Sequence, residues 1–257
     1  MVWEGRSREA PPYPDQDRVF RPVKTVSQMP GHPPGFFDAT EMPTAGWWEA
    51  LWPAPHEIVT AVGISPDMEV VDLCSGDGWF TLQITKRAHY VVAIDIEPKL
   101  LETARHRLAE NNVTNCSFVT GNAYDLLKLL GHPTDFVFMA NAFHGVPDKS
   151  RLCRAVYVAL RPGGHFAIVN WHRQPRERTM VLGEPRGPRT ELRMTPEDTI
   201  AAVTPARLDL LKVVDLPPYH YAAIFERPLL CLQGIGPNKS PAAETPLRSA
   251  VIKSRRE

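Results

Sequence analysis

Along this chain, short apolar runs rich in β-branched residues alternate with stretches that carry apolar positions at helical spacing. Met68 to Cys74 (MEVVDLC) is apolar at successive positions and ends in a glycine loop, which predicts a strand buried on both faces. Trp79 to Arg87 has helical spacing, and Tyr90 to Ile96 (YVVAIDI) predicts a second buried strand. Pro98 stands where a helix can begin, and Lys99 to Asn111 is amphipathic and made of good helix formers. The alternation continues with a strand at Cys116 to Thr120, a short helix near Asp125 to Leu130 and a strand at Thr134 to Ala140. Lys149 to Leu160 predicts a helix that stops before Pro162-Gly163-Gly164, and His165 to Trp171 (HFAIVNW) predicts another strand. A helix at Pro196 to Val203 follows, then strands at Leu208 to Leu216 and Tyr219 to Glu226. Only Pro217-Pro218 joins those last two strands, which suits an antiparallel pair at a sheet edge.

Strands alternating with helices predict a parallel sheet covered on both faces with right-handed crossovers. Ligands in such folds bind outside the carboxyl ends of the strands, which places Gly76, Asp95, Asn122, Asn141 and Asn170 along one rim. The ends of the chain differ in character. Residues 1–34 are rich in proline and charge without apolar periodicity and predict a flexible arm, and 234–257 predict a flexible tail.

Composition narrows the partners. The chain has 257 residues, of which 43% are hydrophobic and 23% charged, enough for one large core. Twenty-nine Lys and Arg balance 29 Asp and Glu, so no long-range positive field gathers phosphate backbones, and nucleic acid is not expected as a partner. No segment is long and apolar enough to span a bilayer, so no membrane association is expected. Cys74, Cys116, Cys153 and Cys231 are scattered, with no C-x-x-C pair and no metal-ligand spacing; they read as reduced thiols, and with no signal-peptide pattern the reading is a cytoplasmic protein without a metal.

The segment with most chemistry in it is VVDLCSGDG, Val70 to Gly78. A strand there runs into a turn where Gly76 and Gly78 would let the backbone approach a ligand closely. A structural turn is the competing reading. The next strand ends at Asp95, where a carboxylate can accept hydrogen bonds from both hydroxyls of a ribose. A nicotinamide site would want a third glycine and a helix N-terminus facing the pyrophosphate, whereas Trp79 and Phe80 follow Gly78 and crowd that position.

With DLCSGDG at 72–78, AIDIEP at 93–98, GNAYDL at 121–126, MANAFHGVPD at 139–148 and LRPGG at 160–164, the chain resembles the class I S-adenosylmethionine-dependent methyltransferases of the small-molecule type. The resemblance covers roughly Trp48 to Pro228. It implies an α/β, three-layer Rossmann-like fold with a mostly parallel seven-stranded sheet and an antiparallel C-terminal edge hairpin. The domain would occupy 35–233, with 35–66 as an N-terminal cap and 172–195 as an insert covering the active site. S-adenosylmethionine is the implied cofactor. Asp72, Ser75, Gly76 and Gly78 would hold its methionine portion, Asp95 and Ile96 its ribose and adenine, and Asn122 and Ala123 the adenine edge; Asn141 and Phe143 would lie beside the reactive methyl. Two positions depart from the family pattern: Cys74 replaces the usual first glycine, and Asn122 stands where aspartate is common.

Methyl transfer from a sulfonium is an in-line displacement, so alignment and exclusion of water carry most of the catalysis. An alcohol or ammonium acceptor still needs a base. His144, after the strand ending at Ala140, is the first candidate for a base or substrate-orienting group, against the alternative of a loop histidine bonded to backbone; His172 and His220 could reach the same space, with a structural role as the favoured alternative for each. Catalytic candidates are therefore His144, Asn141 and His172. On the substrate side, the arginine-rich stretch from Arg173 to Met194 offers Arg186 and Arg193 to an anionic group, with a self-paired loop as the alternative. Tyr219 and Trp48 complete the substrate candidates; Trp48 and Trp52 lie four apart on one helical face, and core packing is the alternative role there. The expected reaction is methyl transfer to a small molecule. A non-catalytic S-adenosylmethionine-binding module and an NAD-dependent oxidoreductase are the competing functions.

Overall fold

A computed structural model of the protein describes residues 45–229. The arm proposed for 1–34, the tail proposed for 234–257 and Cys231 lie outside the described residues.

Two short helices, α1 (Ala45–Leu51) and α2 (Pro55–Val62), lead into strand β1 (Glu69–Leu73), and α3 (Trp79–Thr85), β2 (Tyr90–Asp95), α4 (Pro98–Glu110) and β3 (Cys116–Thr120) follow. The second half runs through α5 (Leu126–Leu130), β4 (Thr134–Ala140), α6 (Lys149–Ala159) and β5 (Leu160–Trp171). A two-strand ribbon, β6 (Met180–Val181) and β7 (Glu184–Pro185), precedes α7 (Pro196–Val203), β8 (Asp209–Leu216) and β9 (His220–Glu226). Helix starts follow their local chemistry. Pro98 opens α4 behind Glu97, whose carboxylate accepts from Lys99 N, and Asp148 caps α6 by accepting from Arg151 N. Thr195 and Asp198 form a reciprocal capping box at α7.

The seven-stranded sheet has the order β3-β2-β1-β4-β5-β9-β8, with β1 to β5 parallel and β9 antiparallel to both β5 and β8. The expected architecture is therefore present, including the edge hairpin. From β1 the chain moves outward to β2 and β3, then crosses back to place β4 on the other side of β1. The strand order reverses between β1 and β4, and the carboxyl ends of these strands are where sheets of this kind bind ligands.

Alternation along the strands feeds two cores. Leu73, Ile94, Met139, Ile168 and Phe225 pack against α5, α6 and α7, while Val70, Val91, Phe138, Val169 and Ile224 pack against α1, α2 and α3. Helix α4 buries Leu101, Ala104 and Leu108 beside β2, β3 and α3.

One local expectation changes. LRPGG was expected as a break before a strand at His165, but β5 already begins at Leu160 and carries an irregularity through the motif. Leu160 pairs with Thr134, the ladder resumes at Phe136 with His165, and the backbone in between folds tightly. A Cβ on Gly164 would stand 2.9 Å from Arg161 O and 3.0 Å from Asp135 O, so only glycine fits. This motif lies at the amino end of β5, opposite those carboxyl ends, and serves the sheet.

Candidate active site

Three residues of the β1–α3 loop adopt left-handed backbone: Cys74 (φ 61°), Gly76 (φ 57°) and Gly78 (φ 79°). Cys74 thus holds, with a side chain, a conformation that favours glycine, which accounts physically for glycine being usual there. Gly78 has a different reason from the expected one. A Cβ there would lie 2.7 Å from the Cβ of Ala104, so its bareness admits helix α4, not a ligand.

Asp95 fastens this loop. Its Oδ2 accepts from Gly76 N at 2.9 Å, its Oδ1 accepts from Glu97 N at 2.9 Å, and Ser75 N donates to Ile94 O at 3.1 Å. Each carboxylate oxygen keeps lone-pair capacity for a ribose hydroxyl. Burial raises the Asp95 carboxyl above its ordinary range, and the backbone donors oppose this. Asp72, on β1, is buried against α3, where the Thr81 hydroxyl donates to its Oδ2 at 2.6 Å. Burial pushes its carboxyl up to about 7, with Asp95 and Asp77 adding repulsion. Asp77 caps Trp79 N and pairs with Arg107 on α4 at 2.6 Å, locking the loop from the other side. Asp77, Thr81 and Arg107 were not singled out from sequence, because their roles are visible only once α3 and α4 stand beside the loop.

At the end of β3, Asn122 caps the 3-10 turn Ala123–Asp125 by accepting from Tyr124 N at 3.0 Å. Its carbonyl oxygen keeps one lone pair beyond this cap, and its amide nitrogen can donate. Ala123 is buried beside it and Ile96 is half-buried at the end of β2.

The end of β4 adds a group of buried polar atoms at the carboxyl ends of the strands. Asn141 sits at φ 56°, anchored by its own N–H to Val169 O at 2.8 Å, and both polar atoms of its amide are buried without a partner. Ser75 Oγ, Asn170 Oδ1 and His144 Nδ1 are likewise buried and unpartnered. Buried polar atoms are almost always paired, so these groups at neighbouring strand ends are free to meet a ligand, with the Asn170 side chain also close enough to His144 to bond to it. Asn170 also donates to Thr199 Oγ1 at 3.3 Å, and Thr199 meets the Tyr221 hydroxyl at 2.6 Å, a network that fixes the amide.

His144 is buried in this group, and its ring drops to about 4, first because of burial and then because Lys149 and Arg193 disfavour a second positive charge. It is neutral near pH 7 and too weakly basic for an efficient general base; as a neutral ring it orients. Phe143 has no exposed surface to offer a ligand. The 3-10 turn Phe143–Gly145 turns it into the core shared with α5 and α6, where it is fully buried. His172 is drawn away to the sheet edge, where its Nε2 lies 2.7 Å from Asp215 Oδ1 on β8.

The four substrate candidates divide. Trp48 is buried between Trp52 and Trp79, with ring centroids 5.7 and 5.5 Å away. Tyr219 stacks on Trp171 at 6.0 Å, and its hydroxyl donates to Met180 O on β6. The two arginines are engaged within the insert. Arg186 pairs with Glu184 at 2.7 Å. Arg193 is 2% exposed, donates to Pro188 O, Gln174 O, Thr179 Oγ1 and Arg186 O, and lies over the Trp171 ring at 5.0 Å. Four bonds to its own loop make it the knot of the insert, and the expected anion-binding role falls away. Gly187 (φ 85°) comes so near Trp171 that a Cβ would stand 2.8 Å from the indole. Trp171, at the carboxyl end of β5, is thereby clasped by the insert.

Residues 70–164, from β1 into the bulged start of β5, match the family model described as a methyltransferase domain. Over that stretch the chain is similar to methyltransferase domains, and its sheet has the Rossmann-like fold of solved S-adenosylmethionine-dependent methyltransferases. A solved SAM-dependent methyltransferase from Aquifex aeolicus superposes with a TM-score of 0.61 at 18% identity, over 71% of this chain and 93% of that one, a likeness of fold. In sequence, an uncharacterized methyltransferase of Synechocystis is 34% identical over 114 residues, 44% of this chain and 51% of the relative. A methyltransferase of Aspergillus terreus is 32% identical over 102 residues, 40% of this chain and 31% of the relative. The matched stretch thus spans between about a third and a half of these curated relatives. The matched model includes the glycine loop and the ends of β1 to β4, whereas Asn170, residues 172–195 and helix α1 lie outside it.

Among the described residues, no helix is long and apolar enough to cross a membrane, and Cys74, Cys116 and Cys153 are free thiols.

Proposed function

We propose that this protein is an S-adenosylmethionine-dependent methyltransferase that transfers a methyl group to a small-molecule acceptor. The observation that carries the reading is the set of buried, unpartnered polar atoms on Ser75, Asn141, His144 and Asn170, beside a glycine loop tied to the acidic end of β2. When bound, S-adenosylmethionine supplies an electrophilic methyl on a sulfonium. Asp72 and Ser75 would hold its ammonium and carboxylate end, Asp95 its ribose hydroxyls, and Ala123 and the Asn122 amide its adenine. Asn141, fixed by Val169 O, would orient the end nearest the methyl.

The chain's own contribution is alignment and dryness. A pre-set left-handed loop costs no reorganisation at the moment of reaction, and the insert packed on Trp171 and Tyr219 keeps water from the carboxyl end of β5. Such a cover suits a small acceptor better than a protein chain. Neutral His144 would hold an acceptor's proton by hydrogen bonding.

Calorimetric titration with S-adenosylhomocysteine and, separately, with NAD tests the reading, with Asp95→Asn alongside. Binding of the first, weakened about tenfold in the variant, is expected from one lost charge-assisted bond. Binding of NAD alone refutes it. Labelled methyl donor incubated with fractionated cell extract then identifies the acceptor, and binding without any transfer would leave a sensing module in its place.

A further inference from the structure

Aromatic rings accumulate between the glycine loop and the start of β9. Trp79, next to Gly78, stacks near Trp48 at 5.5 Å; Trp48 meets Trp47 at 4.5 Å and Trp52 at 5.7 Å; Trp47 reaches Trp171 at 6.0 Å. In the middle of this wall sits His220, completely buried, with Trp171 at 4.1 Å and Trp52 at 4.5 Å. Trp52 spends its indole N–H on Pro217 O. The other polar atoms of the wall have no such outlet: Nδ1 and Nε2 of His220, Nε1 of Trp47 and Nε1 of Trp48 are all buried without a hydrogen-bond partner.

Four orphaned polar atoms in one aromatic cluster are costly for the free protein. A neutral imidazole carries one donor and one acceptor, and each indole carries one donor. Leaving such groups unpaired costs about 1–3 kcal/mol apiece, so a fold that retains them has a use for them. The cluster is also continuous with the donor loop through Trp79, so a molecule that enters between these buried rings would stand beside the rim. From these observations we infer that the Trp47–Trp48–His220 cluster is the acceptor subsite, and that it takes a flat, apolar, uncharged molecule carrying a hydroxyl or carbonyl oxygen. This inference rests on the methyltransferase reading given above.

The chemistry of the cluster selects that class. Two indole N–H groups and an imidazole N–H are donors that an oxygen accepts from, and the second imidazole nitrogen accepts from a hydroxyl. A cationic amine is disfavoured, although tryptophan faces attract cations in general. The titratable groups whose influence reaches His220 are His172, Arg193 and His144, and the Arg193 guanidinium already occupies the face of Trp171. Asp215, on the neighbouring strand β8, is engaged with His172.

The test uses the full chain, saturated with S-adenosylhomocysteine, and two probes of equal shape, 1-naphthol and naphthalene, read by quenching of tryptophan fluorescence. The expected result is that 1-naphthol binds about tenfold more tightly than naphthalene, and that His220→Phe removes this preference while leaving naphthalene affinity unchanged. Trp47→Phe, which removes one N–H and keeps a ring, is expected to reduce the preference about threefold. Equal affinity for the two probes in wild type, an undiminished preference in His220→Phe, or no binding of either probe overturns the inference. Binding of hexyltrimethylammonium in place of 1-naphthol overturns it in favour of a cation cage. Because S-adenosylhomocysteine affinity is measured separately by calorimetry, failure of the donor site is told apart from failure of the acceptor subsite.

Discussion

Replacing Asp72 with asparagine separates what this carboxylate costs the fold from what it contributes to the donor site. Burial beneath α3 lifts its carboxyl from 3.8 to about 7, and the Thr81 hydroxyl opposes this only in part. In the unfolded chain the group ionises at its ordinary value. Below that value both states hold the proton, and Asp72 adds no pH dependence. Between the two values the unfolded chain has lost the proton while the folded protein keeps it, so stability falls as pH rises; above about 7 both are ionised and the penalty is complete. A separation of this size sets an upper bound of about 4 kcal/mol. Asparagine keeps an acceptor for Thr81 and carries no charge. Asp72→Asn is therefore expected to be about 1–3 kcal/mol more stable than wild type at pH 8 and equal to it at pH 4. Urea unfolding of the ligand-free proteins at pH 4, 6 and 8 measures the difference. A difference that is flat across pH, or a variant less stable at pH 8, refutes the reasoning. The same variant should lose S-adenosylhomocysteine affinity at pH 8 by about tenfold or more, since an ammonium would face a neutral amide. Unchanged affinity would remove Asp72 from the donor site.

Asn141 offers a matched pair: Asn141→Gly keeps the left-handed backbone and loses only the amide, whereas Asn141→Ala adds strain of about 1–2 kcal/mol. Both should weaken S-adenosylhomocysteine binding, but only the alanine variant should lower the urea midpoint; equal midpoints would show that backbone conformation is not at issue. His144, with its ring at about 4, should leave no inflection between pH 6 and 8 in the methyl-transfer rate, and an inflection there abolished by His144→Gln would restore it as a base. Gly78→Ala should destabilise by about 2–3 kcal/mol, because its Cβ meets Ala104 at 2.7 Å; an unaltered midpoint would mean that α4 can shift freely. Arg193→Met should open the insert to limited proteolysis between 173 and 192 while the β1–β5 core stays protected, and uniform digestion would refute its role as the insert's knot.

Much of the fold was legible in one dimension because its cause is one-dimensional. Buried parallel strands must be apolar at successive positions, amphipathic helices must repeat near 3.6, and a two-proline link between strands leaves antiparallel pairing as the simple solution; β3, β4 and α7 lie where that reasoning placed them. The glycine loop and Asp95 were legible for the same reason, since strand, turn and acidic strand end follow in sequence. LRPGG misled because Gly164 answers a close approach to Arg161 O and to Asp135 O, the latter on another strand.

The roles of charged and aromatic side chains were decided only by the tertiary structure. Arg193 reads in sequence as a free cation in a basic stretch, yet its donors are consumed by carbonyls of residues 174, 186 and 188 once the insert folds back. His144 and His172 look alike as strand-end histidines, but one is buried beneath the rim and the other is paired with Asp215 across the edge hairpin. Phe143, close behind the end of β4, is turned into the core by a single 3-10 turn. His220 becomes notable only when Trp171, its pairing partner across β5 and β9, and Trp52 from α1 and its flank close around it. Periodicity and turn chemistry act between near neighbours, so the sequence alone determined the sheet, its helices and the rim of carboxyl ends. Burial, proton affinity and hydrogen-bond satisfaction depend on which distant segments meet, and those belong to the folded molecule.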